Sequence, residues 1–145
     1  MNPDNELKAL AAYRFEQSLE CLKSAKILAE CSDYRGAANR SYYAFFHAMR
    51  SAFALENKDF SKHSGVAANF RKDFIKTGVF DVVFSDMIKS AFYVRNNSDY
   101  DDFYVVSKAD VEEQMHNAEK FCAAMGEYLV IKGVRLAADK DANDK

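Results

Sequence analysis

Arg40 and His47 stand seven positions apart in the stretch Asn39-Arg40-Ser41-Tyr42-Tyr43-Ala44-Phe45-Phe46-His47-Ala48-Met49-Arg50. Seven residues make nearly two helical turns, so the two side chains share one face of a helix. A guanidinium near an imidazole can hold a phosphate, and the imidazole can also move a proton. Ala44 lies between them on that face, with Tyr43 beside it. A small residue there lets a second helix approach closely. Burying a guanidinium is costly unless it is paired. The face is therefore either a structural network, with Arg40 paired to a carboxylate and His47 donating to a carbonyl, or the wall of a site.

A second constellation is Val94-Arg95-Asn96-Asn97-Ser98-Asp99-Tyr100-Asp101-Asp102-Phe103. Arg95 falls near an expected helix C-terminus, where the dipole favours a cation. Asp99, Asp101 and Asp102 offer oxygen ligands for a hard cation, but the spacing lacks the glycine and glutamate of an EF-hand loop. Turn capping and pairing with Arg95 or Arg40 are the roles expected of these acids, and no metal site is expected. A third is His63-Ser64-Gly65 after Lys62, where a helix N-terminus with a basic neighbour can receive an anion or simply be capped. His116 lies among Glu112, Glu113 and Glu119 and reads as part of a solvated face. The sequence has no Ser/His/Asp or Cys/His triad, P-loop or GxGxxG motif.

Helices must position these residues. Leu7, Leu10, Ala11, Phe15, Leu19, Leu22, Ala25 and Leu28 recur at helical spacing and predict a helix over 5–30, capped by Asn5 or Asp4. A second helix is predicted over 33–56. It is apolar on most sides and therefore central. A polar loop follows over 56–62. A short helix runs from His63 or Ser64 through Phe74, with Gly78 suited to end it. A fourth is expected from Val79 to about Arg95, then a turn over 96–102. Ser107 caps the last helix, with Asp110 at its third position, and that helix is expected to reach about Val134.

One proline and five glycines in 145 residues leave few helix breakers, while 49% apolar residues exclude a disordered chain. The fold expected is all-α, an antiparallel bundle of four to five helices, with one domain over 1–135 and a frayed tail over 136–145. A net charge of −2 gives no global case for nucleic acid, but the 20 Lys and Arg allow a local basic face. Cys21, Cys31 and Cys122 form no CxxC pair and read as buried free thiols in a reducing compartment. The start MNPDNELKAL lacks the apolar segment of a signal peptide, and no apolar run is long enough to span a membrane. A cytoplasmic location is expected.

The strings NRSYYAFFHAMRSAF, KHSGVAANFRKDFIKTG and VRNNSDYDDFYVVSKADVEEQMHNAEKF resemble the HEPN domain, and more narrowly its small prokaryotic UPF0332-like branch. The resemblance spans about residues 8–130. It implies a helical bundle that pairs as a homodimer, acts in toxin–antitoxin or defence loci, and works with a small nucleotidyltransferase. Active members of the family are metal-independent endoribonucleases whose motif is an arginine, four to six residues, then a histidine. In this sequence the motif falls on Arg95 to Tyr100, with Arg95 and the polar Asn96 matching and Tyr100 at the histidine position. A tyrosine with an ordinary pKa near 10 is a poor base at neutral pH. Arg40 and His47 also satisfy the spacing, in the second helix.

The resemblance thus implies His47 and Arg95 as catalytic candidates. Arg40, Tyr43, Arg95, Asn96, Asp99 and Tyr100 are the candidate nucleotide or RNA contacts, with no cofactor. Three functions follow: a nucleotide- or RNA-binding HEPN protein with a nucleotidyltransferase partner, an active endoribonuclease toxin, or a structural interaction protein.

Overall fold

The computed structural model describes residues 2–137, which form helices without any strand. These are α1 (Pro3–Glu30), α2 (Tyr34–Ala54), α3 (His63–Phe70), α4 (Val83–Tyr100) and α5 (Lys108–Ile131). The last turn of α3 widens into a π-helical segment over Arg71–Ile75. The all-α bundle expected from the sequence is the fold observed. No helix among the described residues is long and apolar enough to cross a membrane.

Local chemistry sets the helix ends. The first helix starts earlier than expected: Asn2, not Asp4 or Asn5, is the cap, and its side chain accepts from the Asp4 N–H at 3.0 Å. Pro3 follows at the first helical position, where its missing N–H costs nothing. At the other end Ser32 takes a left-handed φ of 63°, and the Asp33 N–H reaches back to the Leu28 carbonyl at 2.8 Å. Asp33 then caps α2 by accepting from the Gly36 N–H. The last helix ends at Ile131 instead of about Val134. Gly133 turns the chain at a φ of 88°, and the Val134 N–H returns to the Leu129 carbonyl.

The fourth helix departs most from expectation. It begins at Val83, not Val79, because residues 79–82 are spent inserting Phe80 among Phe70, Phe74, Phe121 and Tyr128. The Asp81 carboxylate accepts from the Val83 N–H as the helix opens. It then continues through Asn96–Tyr100, where turn-forming residues predicted a break. Arg35 of α2 explains the extension. Its guanidinium donates to the carbonyls of Ser98 and, at 2.7 Å, Tyr104, so that the end of α4 is held against α2. Val94 packs there with Ala37, Ala38, Val106 and Val111. Tertiary anchoring overrides weak local propensity.

The second helix is the axis of the bundle, packed by α1, α4 and α5. Ser41 and Ser51 are buried on it, and each hydroxyl donates to the carbonyl three residues back. Buried Gln114 of α5 donates to the Ala38 carbonyl at 2.8 Å and to Ser41 Oγ at 2.7 Å, which fixes the register between α5 and α2. Cys21 and Cys122 are buried as expected, but Cys31 is exposed because it lies at the end of α1. Leu136 packs against the core, and residues 138–145 of the expected tail lie outside the described residues.

Candidate functional site

From Ala37 to Ala54 the residues of α2 are buried except Asn39, Arg40, Tyr43, His47 and Arg50. Apart from Asn39, these sit at intervals of three, four and three, the spacing of a single stripe along a helix. The one open seam of the central helix therefore carries two arginines, a tyrosine and a histidine. Arg40 and His47 do share a face, as their spacing requires.

Other elements close around this seam. From α4, Arg95 places its Cζ 5.1 Å from the Tyr42 ring centroid and 5.7 Å from that of Tyr43. Arg40 lies over the same Tyr43 ring at 4.9 Å, and Arg50 lies over Phe46 at 5.6 Å. Each contact sets a cation against the negative face of a ring. His63, the first residue of α3, lies with its ring centroid 4.2 Å from that of Phe46, tilted by 39°, and its Nδ1 lies 3.2 Å from Tyr42 Oη. Arg14 of α1 donates to the Arg50 carbonyl and reaches Asp59 at 3.4 Å.

The balance of charge favours an anion. Asp59 serves both Arg50, at 2.9 Å, and Arg14. Asp99 lies 3.3 Å from Arg95 Nε, one turn along α4, but not in line with the N–H. That buried N–H is left without a hydrogen-bond acceptor. Among the described residues Arg40 hydrogen-bonds to the neutral Asn39 Oδ1, at 2.9 and 3.2 Å, and pairs with no carboxylate. Four arginines thus face two carboxylates.

The histidines feel this excess. Burial, followed by the fields of Arg50, Arg40, His63 and Arg14, holds His47 below the ordinary histidine value. Burial, then Arg95 and Arg50, lower His63. Burial pushes Tyr42 up to about 12, so its hydroxyl keeps its proton. At Asp59 burial acts upward, but hydrogen bonds from Arg50 and the Phe60 N–H, with the fields of Arg50 and Arg14, bring it below the carboxylate range. Two neutral imidazoles among fixed cations are a site that gains charge when an anion arrives.

The structure brings Arg40, Tyr43, His47, Arg95 and Asp99 together. Asn96 makes none of the contacts that hold the cluster, and Tyr100 stands 81% exposed at the end of α4. Asp101 caps the turn after α4 by accepting from the Phe103 N–H. Sequence reasoning missed His63 as a partner of the seam, together with Tyr42, Arg14, Arg50 and Asp59. Arg50 was within reach, since it continues the 40–43–47 spacing. The others depend on where a loop and a neighbouring helix come to rest. An apolar groove between α1 and α5, lined by Phe15, Leu19, Leu22, Val130 and Ile131 among others, shares no residue with the polar face.

Comparison with known proteins gives one consistent answer. The sequence pattern of the family described as "HEPN domain" matches residues 11–128. A UPF0332 protein of Thermotoga maritima is 31% identical over 83% of this chain and 92% of its own length. A protein of Methanocaldococcus jannaschii, named as a candidate toxin, is 29% identical over 82% of this chain and 81% of its own. A second candidate toxin from the same organism is 34% identical over 66% of this chain and 68% of its own.

Proposed function

The chain belongs to the HEPN family, and on that premise we propose that it is a toxin-like HEPN protein that binds RNA through the open seam of α2. The observation that carries this reading is the seam itself: Arg40 and Arg95 against Tyr43, with His47 and Arg50 in line. Guanidinium groups suit phosphate oxygens, and an accessible aromatic edge such as that of half-buried Tyr43 suits a base. The net charge of −2 makes the binding local to this face. Two relatives named as candidate toxins support the toxin-like role.

The reading includes a homodimer and a small nucleotidyltransferase as partner. Its support is the family's habit. Light scattering on the purified chain is expected to give a mass near twice 16.5 kDa.

Fluorescence anisotropy with single-stranded RNA at several salt concentrations tests the binding. Each phosphate contact on a single strand contributes about 0.7 to the slope of log K against log salt. Arg40→Ala is expected to weaken binding and flatten that slope by about this amount, with the melting temperature unchanged. A slope that Arg40→Ala and Arg95→Ala both leave intact would move the phosphate elsewhere and end this reading.

A further inference from the structure

We propose that a cleft between α4 and α5 binds a short aliphatic diamine, held by Asp110, Glu113 and Gln114 beside Tyr93 and Tyr104. The cleft has a volume of about 220 Å³ and shares no residue with the polar face of α2. That volume is below the roughly 300–1,000 Å³ of clefts that take drug-sized ligands, so its occupant is small. From α5 the cleft takes a polar stripe, Asp110, Glu113, Gln114 and Asn117, at the spacing of one helix face. A helix packed on a neighbour ordinarily turns apolar residues to it.

Gln114 is 6% exposed. Its Nε2 donates to the Ala38 carbonyl and to Ser41 Oγ, which uses both of its hydrogens. A carbonyl only accepts, so the amide cannot be turned round. With Nε2 held to α2, Oε1 is the atom left to face the cleft that Gln114 lines, buried and without a hydrogen-bond partner. It calls for a donor. Asp110 and Glu113 are exposed and, among the described residues, form no ion pair, since Lys108 pairs with Glu112 instead. Three residues apart on a helix, the two carboxylates are neighbours and repel. Their place in the first turns of α5 suits the helix dipole, but the dipole supplies no donor to Gln114. Burial, then Asp110 and Tyr93, push Tyr104 above the ordinary tyrosine value, so its hydroxyl keeps its proton.

A diamine answers each of these demands. One ammonium donates to Gln114 Oε1 and to one carboxylate, and the second ammonium meets the other carboxylate. Side chains three residues apart on a helix start about 5–6 Å from each other, a separation that a short aliphatic stem spans. Tyr93 and Tyr104 offer rings to the stem and to the cations. A metal ion fits less well, because among the described residues no three His, Cys, Asp or Glu side chains are grouped to hold one. A water molecule could donate to Gln114 but would leave two carboxylates unneutralised.

The test titrates putrescine into the full chain at constant ionic strength, with the Gln114 side-chain amide and the backbone amides of α5 followed by NMR. Saturable shifts centred on Asp110, Glu113 and Gln114 are expected. Asp110→Asn and Glu113→Gln, both at exposed side chains, should each weaken binding about fivefold, the effect of one unit charge at about 4 Å in water. Gln114→Leu should weaken it as well. The diol of the same stem, which carries no charge, should leave the spectrum unchanged. Nα-acetyl-lysinamide, with a single ammonium, should bind about fivefold more weakly than putrescine. Equal binding by this monocation would give the cleft to a lysine side chain and overturn the diamine. Shifts that the diol reproduces, binding that all three variants leave intact, or no saturable shift in wild type would each overturn the site itself.

Discussion

Asp99→Asn separates a cation that waits for a ligand from a cation that merely completes an ion pair. Asp99 Oδ2 lies 3.3 Å from Arg95 Nε, with side chains 36% and 18% exposed. Such a solvent-screened pair is worth about 0.2–1 kcal/mol to the fold, so the melting temperature should fall by no more than about 2–5 °C. The effect on RNA has the opposite sign. A phosphate held on the other side of the Arg95 guanidinium would stand roughly 7 Å from the Asp99 carboxylate, and their repulsion there is about 0.6 kcal/mol at the dielectric of water. Removing the carboxylate's charge should tighten binding roughly threefold, with a larger gain at low salt. Anisotropy titrations of wild type and Asp99→Asn with the same RNA, beside thermal melts, give both numbers. Weaker binding by the folded variant would show that Asp99 organises Arg95 for RNA instead of competing with it, and the charge argument would fail.

Other expectations follow from the same contacts. His47 and His63 both sit below their unfolded value of 6.5, so the unfolded chain takes up more protons as the pH falls through that value. Stability is therefore full above about pH 6.5 and declines below it, by at most about 1.4 kcal/mol per pH unit for each histidine and by less after solvent screening. Urea unfolding at pH 7.5 and 5.5 measures this, and RNA affinity should change the other way, rising as the pH falls. Gln114→Leu removes the donor to the Ala38 carbonyl and Ser41 Oγ, and should cost about 1–2 kcal/mol in urea unfolding. The loss stays modest because Gln114 Oε1 already lacks a partner. Ser32→Gly relieves a left-handed φ of 63° at the end of α1 and should stabilise by about 1 kcal/mol in the same assay.

How much of this was readable in the sequence depends on the range of each interaction. The seam of α2 was legible because helical spacing alone fixes which of Arg40, Tyr43 and His47 share a face. The pairing of Arg95 with one of the nearby acids was expected from their closeness in sequence, but its geometry, four residues apart on one helix, follows only because α4 continues to Tyr100. The break expected after Arg95 was a local inference from Asn96, Asn97 and Ser98. It failed because Arg35, more than sixty residues away, takes the Ser98 carbonyl. His63 was visible only as the start of a helix. Its place against Tyr42 and Phe46 is set by the path of the chain between α2 and α3, including the turn in which Asp59 joins Arg50 to Arg14. No periodicity encodes that path. The missing histidine of the Arg95–Tyr100 motif was also plain in the sequence, as was His47 at the same spacing from Arg40, but the approach of His63 to the same rings was not.

The most direct measurement is an NMR titration of the His47 and His63 imidazoles across pH, with and without saturating single-stranded RNA. The free protein should show both titrating below 6.5, in keeping with their burial among Arg14, Arg40, Arg50 and Arg95. RNA carrying its phosphate into the seam should raise both midpoints, and Arg40→Ala should weaken the RNA concentration dependence of that rise. RNA that binds while both midpoints stay where they were would place the phosphate away from α2 and contradict the account.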